Sequence, residues 1–141
     1  MSVGAGVGEG RTHDEEALGR SEARFRATFE QAGVGMAHVG LDGRFLLVNA
    51  RLCDLTGFTA SELTARSFQD ITHRDDLHAD VEQATRLAAG EIASYALEKR
   101  FLRRDGTTLW VRLTRSCVRR PDGSPDFFVS VHEDIDRQKR A

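Results

Sequence analysis

The sequence predicts an α+β domain: a five-stranded antiparallel sheet with short helices on one face, preceded by an amphipathic N-terminal helix. Three observations predict this class. Two extended segments come first, several short helical segments follow, and three extended segments come last. Short turn signals separate neighbouring extended segments, which favours antiparallel pairing. All the short helices fall between the second and third strands, so they are expected on one side of the sheet.

Length and composition indicate one globular domain and argue against several classes of protein. The 141 residues fit one domain, and 40% apolar with 30% charged residues is an ordinary globular composition. The net charge of −2 shows no basic footprint, so we expect no nucleic-acid partner. The sequence contains no apolar run of about 18 residues, so we expect no membrane contact and a cytoplasmic location. Cys53 and Cys117 lack metal-binding spacing, which predicts reduced thiols and no metal site.

The chain is expected to have four parts. A Gly-rich start predicts a disordered tail, and the charged segment after it carries Leu18, Phe25 and Phe29 at helical spacing on one side. The strands and short helices follow, and a charged stretch begins a linker to an output domain. In order, the tail, the amphipathic helix, the domain and the linker are residues 1–13, 14–32, 33–135 and 136–141.

Turn and cap residues define the first half of the domain. Asp42 and Gly43 form a hairpin turn signal between two extended segments. Asn49 is a good helix N-cap, and Thr59 followed by Glu62 is a capping-box pattern. These signals predict strands at 34–39 and 44–48 and short helices at 50–55 and 59–63.

Similar signals define the second half. Thr72 and Asp75 form another capping-box pattern ahead of a longer helix that Gly90 ends. Turns at Gly106 and Gly123 then separate three extended segments. The predicted elements are a helix from about 72 to 89 and strands at 95–102, 107–118 and 127–135.

The strand over 107–118 is partly apolar on both faces. Leu109, Val111 and Leu113 share one face, while Trp110 and Val118 lie on the other. A strand of this kind needs cover on both sides. We therefore expect the N-terminal helix to cover the outer face or to pair with its copy in a homodimer. The docking residues would be Leu18, Phe25, Phe29 and Trp110.

Six segments, taken together and in order, carry a family resemblance. They are residues 21–36, 42–49, 55–63, 71–76, 103–111 and 131–136, and they include Leu55-Thr-Gly-Phe58, Arg103-Arg-Asp-Gly106 and Val131-His-Glu-Asp-Ile-Asp136. No single segment is specific, but the ordered set is. It resembles a PAS domain with its trailing PAC motif, a sensory module of bacterial signal-transduction proteins.

The resemblance implies a function. PAS domains precede histidine kinases of two-component systems, diguanylate cyclases or other outputs. The chain is therefore expected to be a non-catalytic sensory and dimerisation module that relays a signal to such an effector. Its last strand ends in Asp134, Ile135 and Asp136, which look like the junction where the signal leaves. The residues themselves carry no phosphate loop, nucleophile elbow or metalloprotease motif, so we expect no enzyme activity within this chain.

PAS domains hold a haem, a flavin, a metabolite or nothing between sheet and helices, and no cofactor is evident here. Residues 65–70 lack the cysteine of light-sensing PAS domains, which argues against a cysteinyl-flavin photocycle. Noncovalent flavin and haem stay open. Two alternatives follow, a haem-based gas sensor using His78 and a ligand-free interaction scaffold. His78 lies about 90° from the apolar stripe of its helix, which favours a solvent-facing side chain.

A small-molecule pocket is expected between sheet and helices. If Met36 faces it, His38 faces it too, because the two residues share strand parity. Such a histidine would bind an anion or respond to pH, and a hydrogen-bonded core histidine is the alternative. His73 is expected in a capping or turn role. The pocket candidates are Met36, His38, Leu52, Leu55, Phe58, Leu63, Leu77, Val81, Leu97, Phe101 and Leu113.

Overall fold

The computed structural model describes the backbone of residues 2–141 and the side chains of residues 14–141. The chain divides after residue 31 into two compact units. The first unit is helix α1, Ser2–Gln31, in which the rings of Phe25 and Phe29 stack with centroids 5.6 Å apart. The disordered tail expected for residues 1–13 lies outside the described side chains and stays a prediction.

The second unit is built on one antiparallel sheet, as the sequence predicts. Its strands are β1 Gly35–Val39, β2 Phe45–Val48, β3 Ser94–Leu102, β4 Thr108–Arg119 and β5 Pro125–Asp134. The strand order is β2-β1-β5-β4-β3. The first strand pair therefore joins the last three strands through β1 and β5, with Gly35 opposite His132 and Ala37 opposite Ser130. This pairing brings residues about a hundred positions apart onto one surface.

Four helices of the second unit connect and extend the sheet. They are α2 Ala50–Thr56, α3 Ala60–Thr64, α4 Arg74–Ala88 and α5 Asp136–Arg140, with a 3-10 turn at Gln69–Ile71. Helices α2 to α4 lie between β2 and β3 in the chain, and their apolar side chains pack on the inner face of the sheet. None of the helices described is both long and apolar enough to cross a membrane.

Capping explains where the short helices begin. The Asn49 side chain accepts a hydrogen bond from Leu52 N at the start of α2, and Thr59 and Glu62 form a reciprocal capping box at α3, both as predicted. The prediction that Thr72 caps α4 is wrong. His73 is the N-cap, and its Nδ1 accepts from Asp75 N. Thr72 instead donates its hydroxyl to Phe68 O at 2.6 Å.

The core lies between the inner face of the sheet and helices α2 to α4. Its aromatic members are Phe45, Phe68, Tyr95, Phe101 and Phe128. Charged side chains are buried among them, which is unusual because burying a charge is costly unless it is paired. This buried polar group is the most distinctive feature of the interior.

Candidate functional site

Most of the predicted pocket residues do meet in the interior. Leu52, Leu55, Leu63, Phe101 and Leu113 are buried in the core, and Phe58, Val81 and Leu97 are partly buried against it. Leu77 is half-buried on α4. These residues come from three helices, two strands and the segment between α2 and α3, so they line the helix-covered side of the sheet.

Met36 and His38 do not face this interior, contrary to the expectation. Along β1 the buried residues are Gly35, Ala37 and Val39, while Met36 and His38 alternate with them on the opposite face. His38 lies against the ring of Phe127 on the outer face of β5, with ring centroids 4.8 Å apart. Partial burial lowers the pKa of His38.

A buried ionic cluster, which the sequence did not predict, lies in the interior beside these apolar side chains. Asp80 of α4 accepts hydrogen bonds from Lys99 Nζ at 2.7 Å, Arg115 Nη1 at 2.6 Å and Tyr95 Oη at 2.7 Å. Lys99 Nζ also donates to Thr72 Oγ1 at 2.9 Å. We call Asp80, Tyr95, Lys99 and Arg115 the Asp80 cluster; the side chains of its ion-paired members are fully buried.

Strand and helix periodicity explains how these residues come together. Lys99 continues the inward-facing alternation of Tyr95 and Phe101 on β3, and Arg115 continues that of Leu113 on β4. Tyr95 lies directly opposite Arg115 in the sheet. Since the inner face of the sheet lies under α4, the buried Asp80 meets both cations.

The cluster has two cationic side chains and one carboxylate, and this excess of positive charge shifts the pKa values of its members. Burial by itself raises the pKa of Asp80, but the positive charges of Lys99 and Arg115 outweigh it and lower that pKa to about 2. Burial lowers the pKa of Lys99 to about 8; attraction to Asp80 opposes this lowering, and repulsion from Arg115 adds to it. Burial also raises the pKa of Tyr95, so its phenol stays protonated.

Several buried donors next to the cluster have no hydrogen-bond partner among the residues described. They are Nε and Nη2 of Arg115 and Oγ of Ser130. Both ring nitrogens of His132 also lack a well-aligned partner, although the backbone of Gly35 acts on its pKa. Burial, followed by the charges of Lys99 and Arg115, holds the pKa of His132 well below its usual value, so its ring is neutral.

Aromatic rings enclose the cationic groups. Cζ of Arg115 lies 4.3 Å from the centre of the Phe68 ring and 5.9 Å from that of Phe128, and Lys99 Nζ lies 5.3 Å from that of Phe101. Phe68 also forms a wall of a surface cleft of about 230 Å³, together with Val81 and Ala84. Phe68 therefore contacts both the Asp80 cluster and a cleft that opens to solvent.

The remaining histidines of interest lie at the surface. His78 is 92% exposed, and its Nε2 lies 3.6 Å from Glu82 Oε2 one turn further along α4. The alternative in which His78 ligates a haem in the interior is therefore wrong on placement. Among the residues with described side chains, no group of three or more His, Cys, Asp or Glu could hold a metal ion. His73 has the capping role that the sequence predicts.

The predicted exit residues form a tight network at the end of β5. Asp136 Oδ1 accepts from Trp110 N at 3.0 Å, and its Oδ2 accepts from Arg140 Nε at 2.8 Å. The hydrogen bond from Trp110, with the Arg140 pairing, lowers the pKa of Asp136. Asp134 Oδ1 accepts from Asp136 N, and Ile135 is buried.

Trp110 connects this exit to the outer face of the sheet. Two cationic groups pack on its ring: Cζ of Arg100 lies 4.8 Å from the ring centre, and Nζ of Lys139 in α5 lies 4.6 Å from it. The predicted docking residue Trp110 is thus partly covered by two cationic side chains. The other predicted docking residues lie on α1, where Leu18 and Phe25 are exposed and Phe29 is buried.

Sequence reasoning missed Asp80, Lys99, Arg115, Ser130 and His132. The signal was nevertheless present for the strand residues, because each shares the inward parity of its apolar neighbours. A charged residue at an inward-facing position interrupts the apolar alternation of the strand, so it was not predicted to be buried. Only the presence of Asp80 across the interior makes its burial understandable.

Comparisons with known proteins agree with this architecture. The family model described as the PAS fold matches residues 23–135. The PAS domain of an HTR-like protein from Haloarcula marismortui superposes with a TM-score of 0.73 at 24% identity, covering 88% of this chain and 99% of that one.

Two curated relatives are much longer than this chain. The probable diguanylate cyclase DgcE of Escherichia coli (strain K12) is 40% identical over 123 residues, 87% of this chain and 11% of its own length. The sensor histidine kinase TmoS of Ectopseudomonas mendocina is 26% identical over 125 residues, 89% of this chain and 13% of its own length. The chain therefore spans only about a tenth of the length of each relative, one of which is a probable cyclase and the other a kinase.

Proposed function

This chain belongs to the PAS family, and from that premise we propose that it is a non-catalytic sensory module that relays the state of its interior to an effector domain. The effector would be a histidine kinase or a diguanylate cyclase, as in the relatives, and the module would act in the cytoplasm. One observation carries the proposal. Strand β5 holds the buried donors Ser130 and His132 and ends at Asp134, two residues before α5 begins at Asp136.

The relay would depend on the alternation along β5. Ser130 and His132 point into the interior, and the same strand ends in Asp134, whose carboxylate binds Asp136 N at 2.9 Å. A change in what Ser130 and His132 contact would shift β5 against its neighbours. Since α5 begins at the next residue but one, that shift would change the direction in which α5 leaves the sheet.

The module is also proposed to act as a homodimer. Leu18, Phe25 and Phe29 lie on α1, and two of them are exposed apolar side chains. Exposed apolar side chains on a helix favour burial against a second copy. Such pairing would align two copies of α5 and thereby two copies of the effector domain.

A ligand-free interaction scaffold is the second candidate. The largest fully buried side chains include Arg115, Phe68 and Lys99, so the protein fills much of its interior with its own groups. In a scaffold these side chains would be purely structural. Binding of a small molecule in the interior would separate this candidate from the sensory module.

The relay is tested by fusing a diguanylate cyclase domain after Ala141 and measuring cyclic di-GMP production. Asp136→Ala removes the acceptor for Trp110 N and the partner of Arg140, so we expect the output to change by about fivefold or more. The matched control is Asp126→Ala, which removes an exposed carboxylate from the other end of β5. Equal activity of the wild-type fusion, the Asp136→Ala fusion and the isolated cyclase domain would contradict the relay.

A further inference from the structure

We propose that the interior binds a small carboxylate anion, held by the unoccupied edge of Arg115 together with Ser130 and His132 on β5. This inference rests on the proposed sensory function and names the chemical class of its ligand. The three side chains lie next to the Asp80 cluster on the inner face of the sheet and are at most 1% exposed.

The geometry of Arg115 selects the ligand. Its Nη1 is occupied by Asp80 and by the hydroxyl of Tyr95, whereas Nε and Nη2 have no partner among the described residues. Nε–H and Nη2–H point in parallel from one edge of the guanidinium group, which is the fork that binds both oxygens of a carboxylate. A lone acceptor such as a carbonyl oxygen would satisfy only one of them.

The neighbouring strand supplies further donors beside this fork. Ser130 lies directly opposite Arg115 in the β4–β5 ladder, and His132 lies opposite Leu113, one inward-facing position further along. On the other side of Ser130 the partner is Ala37 of β1, a small residue that leaves the hydroxyl uncovered by a long side chain. A hydroxyl and a neutral imidazole each donate one hydrogen bond to an oxyanion.

Charge gives the sign of the ligand. Asp80 is one carboxylate in contact with two cations, Lys99 and Arg115; Asp76 also acts on Lys99 but is ion-paired with Arg100. The phenol of Tyr95 and the ring of His132 are neutral. A buried excess of one positive charge is costly, and a monoanion removes it. The partnerless donors of Arg115 and Ser130 and the excess positive charge therefore favour the same kind of ligand, a small anion.

The ligand would enter past Phe68. This ring packs on the guanidinium group of Arg115 and also forms a wall of the cleft beside Val81 and Ala84. Rotation of one side chain would connect that cleft to the fork. Because Phe68, Phe101 and Phe128 surround the cluster, the part of the ligand behind its carboxylate must be short and apolar.

The test uses the full chain and propionate as the probe, by isothermal titration calorimetry and thermal unfolding. Propionamide, which has the shape of propionate without its charge, is the neutral control, and inorganic phosphate is the alternative anion. Sodium chloride keeps the ionic strength constant. We expect saturable heat and a higher Tm with propionate alone. Arg115→Lys keeps the charge but loses the fork, so we expect about a hundredfold weaker binding.

The variant Ser130→Ala separates an effect on ligand binding from an effect on folding. Removing a buried hydroxyl that has no partner should leave the Tm of the free protein unchanged or raise it, while weakening propionate binding about tenfold. Ser116→Ala, on the exposed face of the same region of β4, should change neither quantity. Opposite effects on free stability and binding are not expected from a purely structural residue.

Three results would overturn the inference. Equal shifts with propionamide and propionate would show that the charge is not recognised, and binding of phosphate alone would point to an inorganic anion. A fall in the Tm of free Ser130→Ala, without any propionate binding to the wild-type protein, would show that internal water already satisfies these donors. The sensory function would survive each of these results if the Asp136→Ala fusion still changed its output, so the two proposals fail separately.

Discussion

Replacing Asp80 by Asn tests the most unusual feature of the interior. The change keeps the size of the side chain and removes the only carboxylate that contacts Lys99 and Arg115 within hydrogen-bond distance among the described residues. Two buried cations then lie close together without a counter-charge. We expect a large loss of stability and no change in the exposed surface.

The magnitude follows from the contacts. Asp80 accepts charge-assisted hydrogen bonds from Lys99 and Arg115 at 2.7 and 2.6 Å, and all three side chains are fully buried. Breaking a buried pair of this kind costs about 3–5 kcal/mol, because the remaining charge is uncompensated. That is a large share of the total of about 5–15 kcal/mol that stabilises a typical domain. The loss should be smaller at pH 9, since Lys99 loses its proton above its pKa of about 8.

Urea unfolding at pH 7 measures the effect, with Glu82→Gln as a control on the exposed face of the same helix. Its pairing with His78 lies at the surface, so the control should change the free energy of unfolding by less than about 1 kcal/mol. Adding Lys99→Met to Asp80→Asn should restore part of the loss, because it removes one uncompensated cation. A loss below 1 kcal/mol for Asp80→Asn would refute the ionic cluster.

Three further outcomes are expected. Lys99 has a pKa of about 8 in the folded protein and 10.5 as its ordinary value, so the unfolded chain binds more protons between these values and the stability should rise from pH 8 to about 10. Above pH 10 the raised pKa of Tyr95 acts in the opposite direction, and Lys99→Met should abolish the rise. Asn49→Ala should cost about 3 kcal/mol in urea unfolding, because Asn49 caps α2 and makes two hydrogen bonds to the backbone of residues 34–36; a loss below 1 kcal/mol would contradict this role. Replacing the exposed Leu18 and Phe25 together by Asp should lower the sedimentation coefficient from that of a dimer to that of a monomer, and an unchanged value would count against α1 as the dimer element.

Local chemistry was enough to predict much of the fold. Asn49 caps α2 because its short side chain reaches a free backbone N–H two to three residues ahead, and the reciprocal pair Thr59 and Glu62 does the same for α3. Gly43 has a φ of 95°, a conformation that favours glycine, so the turn between β1 and β2 was predictable from one residue. Each of these signals acts over a few residues and needs no knowledge of the remainder of the chain.

Which face of a short strand is buried could be decided only from the tertiary structure. The alternation in β1 offers either Gly35 and Ala37 or Met36 and His38 to the interior, and larger side chains usually fill a core. Here the small residues face inward, because the side chains of Leu52 and Leu55 already lie about 3.1 Å from the place a Cβ of Gly35 would occupy. The packing of α2 on β1 therefore decides which face of β1 is buried, and this packing cannot be inferred from the sequence of β1 alone.

The sequence by itself therefore determined the elements, their turns and caps, and the family to which they belong, since all of these depend on local patterns or on their order. The tertiary structure decided which face of β1 is inside and where the charges go. Asp80, Lys99 and Arg115 lie on one helix and two strands, and each is unfavourable in a core on its own. Their burial is favourable only once α4 has packed across β3 and β4, because only then does each charge meet its partner.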